Sequence, residues 1–175
     1  MNIILIGFRG TGKTTIGKIL ARQLGKEFID ADMYLEKKEG TSIKDIFAKG
    51  GEPLFREIES KVIAELSLLD DKVIATGGGA VLRDENVKHL KRHGIIILLD
   101  ADANTLHKRI HRDSHSRQRR PNLTAKGGYE EVQFLLEQRK PIYDRIADFA
   151  INTAHVSVAS AAHKIQTLIH HYVRG

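Results

Sequence analysis

Gly7-Phe8-Arg9-Gly10-Thr11-Gly12-Lys13-Thr14 is the stretch whose reading decides the fold. It satisfies the pattern G-x-x-x-x-G-K-[ST] at every position, and the pattern has a physical basis. The glycines let the backbone curl so that successive N–H groups face a chain of phosphates. Lys13 is placed to reach the β and γ phosphates, and the Thr14 hydroxyl to ligate Mg²⁺. A helix opening at Lys13 adds the positive end of its dipole to the same anion. The flanks agree. Ile3-Ile4-Leu5-Ile6 ahead of the loop is an unbroken apolar run, as expected of a parallel strand buried on both faces. Behind the loop, Ile16, Ile19, Leu20 and Leu24 recur at helical spacing, and Gly25 stands where a helix C-terminal glycine belongs. Strand, loop and helix come in the order a nucleotide-phosphate site requires.

A chain of 175 residues fits one domain with a proper core. Its 41% hydrophobic and 29% charged residues are ordinary for a globular protein. With no cysteine there is no disulfide and no thiolate chemistry, which suits a reducing compartment. No basic leader precedes the first strand, and the longest apolar run, Ile95 to Leu99, is too short to span a bilayer. A cytoplasmic protein without a membrane partner is expected. The net charge of +6 raises the question of nucleic acid. Yet five arginines gather within the twelve residues from Arg109 to Arg120, and no aromatic interleaves with them. That pattern lacks a base-stacking platform and reads better as a clamp on phosphates, with no nucleic-acid partner.

Taken in order, Glu27 to Asp32 predicts a second strand ending in two acids. Helices are expected over Met33 to Glu39 and Ser42 to Ala48, the latter with a capping-box-like Ser42 and Asp45. A further helix starts near Glu52-Pro53, burying Phe55, Ile58, Val62, Leu66 and Leu69. Lys72 to Ala75 predicts a third strand, Asp84 to Arg92 a polar helix, and Ile95 to Leu99 a fourth strand. Asp102 to His111 is helical in pattern, whereas His111 to Pro121 has no apolar periodicity and is expected to be a mobile loop or lid. A helix resumes at Tyr129 and extends in some form through Tyr143, ahead of a short fifth strand, Phe149-Ala150-Ile151. The closing helix, about Ser157 to Val173, turns Val158, Ala162, Ile165, Leu168 and Ile169 inward. Strands alternating with helices imply an α/β layered sandwich around a parallel sheet.

In such sheets ligands sit at the carboxyl ends of the strands. The phosphate loop, the Asp30/Asp32 pair, Gly77-Gly78-Gly79 and the lid arginines all fall there. Two apart on an extended chain, Asp30 and Asp32 point the same way, so one can hold the Mg²⁺ shell while the other accepts a substrate hydroxyl. The plainer alternative makes Asp32 a helix N-cap. Three consecutive glycines permit close backbone approach by a ligand, although a simple loop explains them equally well. Arg56 and Arg139 are each compatible with an ordinary surface position. His107, His111 and His115 would stack on one helical face, but no carboxylate or thiolate completes a zinc signature, which favours a solvated face.

Together these residues resemble shikimate kinase. The matching pieces are Gly7 to Thr15, Phe28-Ile29-Asp30-Ala31-Asp32, Gly51-Glu52 with Phe55-Arg56, Thr76-Gly77-Gly78-Gly79, Arg120-Pro121 and Arg139-Lys140-Pro141-Ile142-Tyr143, and they cover nearly the whole chain. The resemblance implies a P-loop kinase-type three-layer sandwich. Its parallel sheet would have five strands in the order 2-3-1-4-5, in one domain over residues 1–175. The substrate-binding region would cover about 32–61 and the mobile lid about 112–127. It further implies ATP-dependent phosphorylation of the shikimate 3-hydroxyl, with Mg²⁺, by a monomer. Gly10, Thr11, Gly12, Lys13, Thr14 and Thr15 would bind ATP, and Thr14 and Asp30 the metal. Asp32 would hold the substrate hydroxyls and orient or deprotonate the nucleophile. Arg56 and Arg139 would grip the carboxylate, the Gly78 backbone would line the pocket, and Arg120 would bind ATP and serve catalysis with Lys13 and Asp32.

Two features depart from the family pattern. Asn122 stands where R-P-L-L has leucine, in a lid unusually rich in Arg and His. Ala154-His155-Val156 lacks the arginine that often packs on the purine. The rival functions are another small-metabolite kinase of the gluconate kinase kind and a catalytically silent, nucleotide-gated binding module.

Overall fold

The computed structural model describes residues 1–113 and 128–174. Strand β1 (Asn2–Ile6) is buried at every position. Its side chains alternate between two helix layers, as the period of a strand demands. Ile4 and Ile6 join one core with Phe55, Val62 and Leu66. Ile3 and Leu5 join a second core with Ile16, Leu20, Ala162 and Ile165. An all-apolar run is therefore required here, because neither face meets water. Strands β2 (Glu27–Asp30), β3 (Lys72–Ala75), β4 (Gly94–Asp100) and β5 (Phe149–Asn152) complete a parallel sheet in the order β2-β3-β1-β4-β5. Ile4 pairs with Ile74 on one side and Ile96 on the other, so the β1 carboxyl end is flanked by those of β3 and β4.

Helices α1 (Lys13–Leu24) and α7 (Val158–Arg174) cover one face of the sheet. The other face is covered by α2 (Ala31–Glu39), α3 (Ile43–Ser67), α4 (Asp84–His93) and α6 (Gly128–Ile146). A third cluster lies beyond the carboxyl ends of the strands. There Phe8 packs with Leu106 and Ile110 of α5 (Ala103–Arg112) and Val132 of α6. Asp102 caps α5 through Thr105, whose hydroxyl and N–H hold that carboxyl below its ordinary pKa.

Two local expectations, the end of β2 and the place of Val158, need correction. Strand β2 ends at Asp30 rather than Asp32, because the Asp30 carboxylate accepts from the N–H groups of Asp32 and Met33 and starts α2 there. Asp30 is thus the cap and Asp32 lies in the first turn, so the two acids do not point the same way from one extended strand. The two helices expected from Ser42 and from Glu52 are both present, meeting as the two arms of α3 at a non-helical kink at Gly51 (φ 66°, ψ −166°), and Ser42 is the N-cap, accepting from the Asp45 N–H. A short 3₁₀ turn, Ala80–Leu82, follows the triple glycine unannounced by any periodicity. Val158 is not inward: it opens α7, is 36% exposed and faces the site cavity. No helix among the described residues is long and apolar enough to cross a membrane. Most of the expected lid, including Arg120 and Asn122, lies outside the described residues.

Candidate active site

The strand ends open into a cavity of about 430 Å³ lined by the phosphate loop, Asp30, Asp32, the first two glycines of the triple and Thr153. The loop is shaped by its glycines. Gly7 has φ 134°, and a Cβ there would meet the Leu99 carbonyl oxygen at 2.2 Å. Gly12 (φ 95°) precedes α1 with no capping side chain, so N–H groups at the helix start remain for an anion. Lys13 Nζ donates to the Gly7 and Phe8 carbonyls, each at 2.8 Å, arching over the loop. Thr11 is buried with its hydroxyl donating to the Phe8 carbonyl, which leaves its side chain structural. Thr15 is exposed on the cavity wall.

The expected metal pair comes together: Thr14 Oγ1 donates to Asp30 Oδ2 at 2.8 Å. Two oxygen groups of this hardness suit Mg²⁺, which takes few protein ligands and completes its octahedron with water and phosphate. Among the described residues no cluster of three His, Cys, Asp or Glu forms a self-sufficient metal cage. His107 and His111 stack edge-on at 4.2 Å, and Tyr129 lies against His107. Desolvation, then the charge of His111, lowers the His107 pKa. His115 lies outside the described residues.

The two arginines singled out by the sequence are buried, each 7% exposed, so neither is a surface residue. They converge on adjacent glycines. A Cβ at Gly79 would strike the Arg56 guanidinium at 2.3 Å, and one at Gly78 would stand 3.6 Å from Arg139 Nη1. The Tyr143 hydroxyl donates to the Gly78 carbonyl and pins that turn. Neither guanidinium lines the cavity itself, whereas Asp32 and Gly78 do.

Sequence reasoning missed several contacts. Arg109, counted only within an arginine cluster, donates to the Gly10 carbonyl, the Thr153 hydroxyl and the Thr153 carbonyl, bracing the phosphate loop against the end of β5. Val156 and Val158 supply apolar wall where an arginine was absent. Arg9 reaches Glu131 across 122 positions. No periodicity marks such a pair, since its members share no local element.

The family profile described as Shikimate kinase matches residues 9–170. A shikimate kinase of Thermodesulfovibrio yellowstonii is 44% identical over 164 residues, covering 94% of this chain and 92% of the relative. A shikimate kinase from Acinetobacter baumannii, solved in complex with shikimate, superposes with a TM-score of 0.89 at 39% identity, covering 96% of this chain and 92% of that one. A Bacteroides thetaiotaomicron shikimate kinase gives 0.84 at 32%, covering 97% and 98%.

Proposed function

The chain belongs to the shikimate kinase family, and from that premise we infer how its own residues carry phosphate from ATP to the 3-hydroxyl of shikimate. The observation that carries the residue assignment is the convergence of the phosphate loop, Asp32 and two buried arginines around one triple glycine. The loop N–H groups and Lys13 bind the β and γ phosphates and offset charge that builds during transfer. Arg56 and Arg139 grip the substrate carboxylate, and the Gly78 backbone lets the ring approach. Asp32, at the start of α2, orients the attacking hydroxyl and takes its proton. The new bond joins that oxygen to the γ phosphorus, the β–γ bridge breaks, and ADP leaves. Thr14 and Asp30 are the residues that would hold Mg²⁺, which when bound supplies positive charge to the β and γ oxygens. Arg120 is assigned to the same phosphates. A monomer is the assembly this reading expects. The absence of cysteine supports a cytoplasmic setting.

Phosphoryl transfer asks for alignment and charge neutralisation more than covalent help, and the inventory is of that kind. ATP turnover measured with and without shikimate tests it directly. Lys13→Ala should lower kcat by about a thousandfold while the fold survives. Turnover within a few-fold of wild type would remove this loop from the chemistry. A panel of hydroxy acids separates the gluconate-type alternative, and ATP binding without turnover would favour a silent module.

A further inference from the structure

Arg9 lies inside the phosphate loop and lines the cavity, yet its guanidinium is turned toward α6. Its Nη2 donates to Glu131 Oε1 at 2.8 Å. The Glu131 side chain is 1% exposed and that of Arg9 is 21% exposed. A buried carboxylate is costly unless paired, so this contact is strongly specified once both groups are present. Glu131 sits in the first turn of α6, where the helix dipole also favours a negative charge. Two further contacts tie the same parts together. Phe8, beside Arg9 in the loop, is buried against Val132, the residue after Glu131. Its ring also carries the guanidinium carbons of Arg9 at 6.0 Å and Arg139 at 5.5 Å. Arg139 is borne by the same helix as Glu131.

We propose that Glu131 is a positioning residue which, through Arg9, sets the phosphate loop against α6 and so fixes the γ-phosphate site relative to Arg139. Among the described residues the loop also meets α6 through Phe8, packed on Val132 and beneath Arg139, a contact that resists separation more than sliding. A charge-assisted hydrogen bond specifies direction as well as distance, and in-line transfer is sensitive to errors of about 1 Å. The pair therefore acts mainly on alignment at the transition state and little on ground-state binding of either substrate.

This inference rests on the shikimate kinase reading, and the two can fail separately. Wild-type turnover with ATP and shikimate tests the reading, whereas ADP binding measured by calorimetry reports on the loop whatever the acceptor. Glu131→Gln and Arg9→Met should each lower kcat by about tenfold, with the KM of both substrates moving less than about threefold. The double variant Arg9→Met/Glu131→Gln should be no worse than either single change, because the proposal has Glu131 act through Arg9. Arg9→Lys should recover part of kcat, since a point charge reaches the carboxylate without the fork. Either single variant can lose stability by leaving one buried charge. The decisive protein is then Arg9→Met/Glu131→Met, in which both charges are replaced by apolar chains of similar length. A folded double-Met protein with kcat about tenfold low and near-wild-type KM values supports positioning. Wild-type kcat in that protein, or additive losses in the Met/Gln cycle, would overturn it.

Discussion

Arg56 and Arg139 have equal burial and adjacent glycine neighbours, yet the two regions hold their charge differently. On α3, Arg56 is clasped by carboxylates: Nη1 donates to Glu59 at 2.5 Å, and Nε and Nη2 donate to Glu52 at 3.1 and 2.9 Å. On α6, Arg139 lies over the Phe8 ring with no carboxylate or carbonyl acceptor among the described residues. Among the described residues, one charge is paired with two carboxylates and the other is held over an aromatic ring. Both arginines are proposed to meet the substrate carboxylate, but Arg56 also ties α3 together through Glu52 and Glu59, so its loss should cost the fold as well. Single substitutions in the two regions should therefore move different observables.

The largest effect is expected on stability, at Arg56. Its Glu59 partner is only 4% exposed, so Arg56→Ala removes the cation beside a buried carboxylate and should cost about 3 kcal/mol. Thermal unfolding should then fall by roughly 6–12 °C for a chain of this size. Arg56→Met/Glu59→Met should recover most of that loss, and an unshifted Arg56→Ala would erase the distinction between the regions. The next effect is on binding, at Arg139. Arg139→Ala should weaken shikimate by about ten- to a hundredfold, or 1.5–3 kcal/mol, with ATP affinity nearly constant. Stability should change by about 1 kcal/mol or less, the scale of a lost cation–π contact. Wild type should prefer shikimate to its amide, whereas Arg139→Ala should discriminate far less. Equal affinity of wild type for acid and amide would show that no carboxylate is gripped.

Smaller effects sharpen the contrast. Arg139→Lys should bind shikimate about fivefold to tenfold more weakly than wild type, because an ammonium cannot offer two parallel N–H donors. The smallest change is expected for Glu52→Gln. That carboxylate is 51% exposed, and exposed pairs contribute at most about 1 kcal/mol, so shikimate affinity should shift less than about threefold. A tenfold gain in affinity would mean that Glu52 competes with the substrate for Arg56, and that the Arg56 charge is less committed than its contacts indicate.

Several parts of this organisation were legible before any coordinates. The strand–loop–helix order was readable because glycine torsions, Lys13 and the flanking apolar periodicity are local. The strand pattern was readable because a strand buried on both faces must be apolar throughout, as Ile3 to Ile6 and Ile95 to Leu99 are. The Asp30/Asp32 boundary was not readable. Either acid makes an acceptable cap, and only the closing geometry at β2 selects Asp30. Val158 was misplaced for a related reason: helical spacing identifies a face, but the first residue of a helix can stand past the edge of the core.

What the sequence by itself determined is the set of groups and their local geometry: a phosphate-binding loop on a helix start, acids and glycines at strand ends, and alternation that makes a parallel sheet. Local rules suffice there because each signal spans no more than a few turns or one strand. Tertiary structure alone decided which distant residues share a charge. Arg9 with Glu131, Arg56 and Arg139 at neighbouring glycines, and Arg109 bracing Gly10 to Thr153 all depend on how separate elements pack. Pairwise electrostatics act through space, and no periodicity along the chain records which opposite charges the folded core will enclose together.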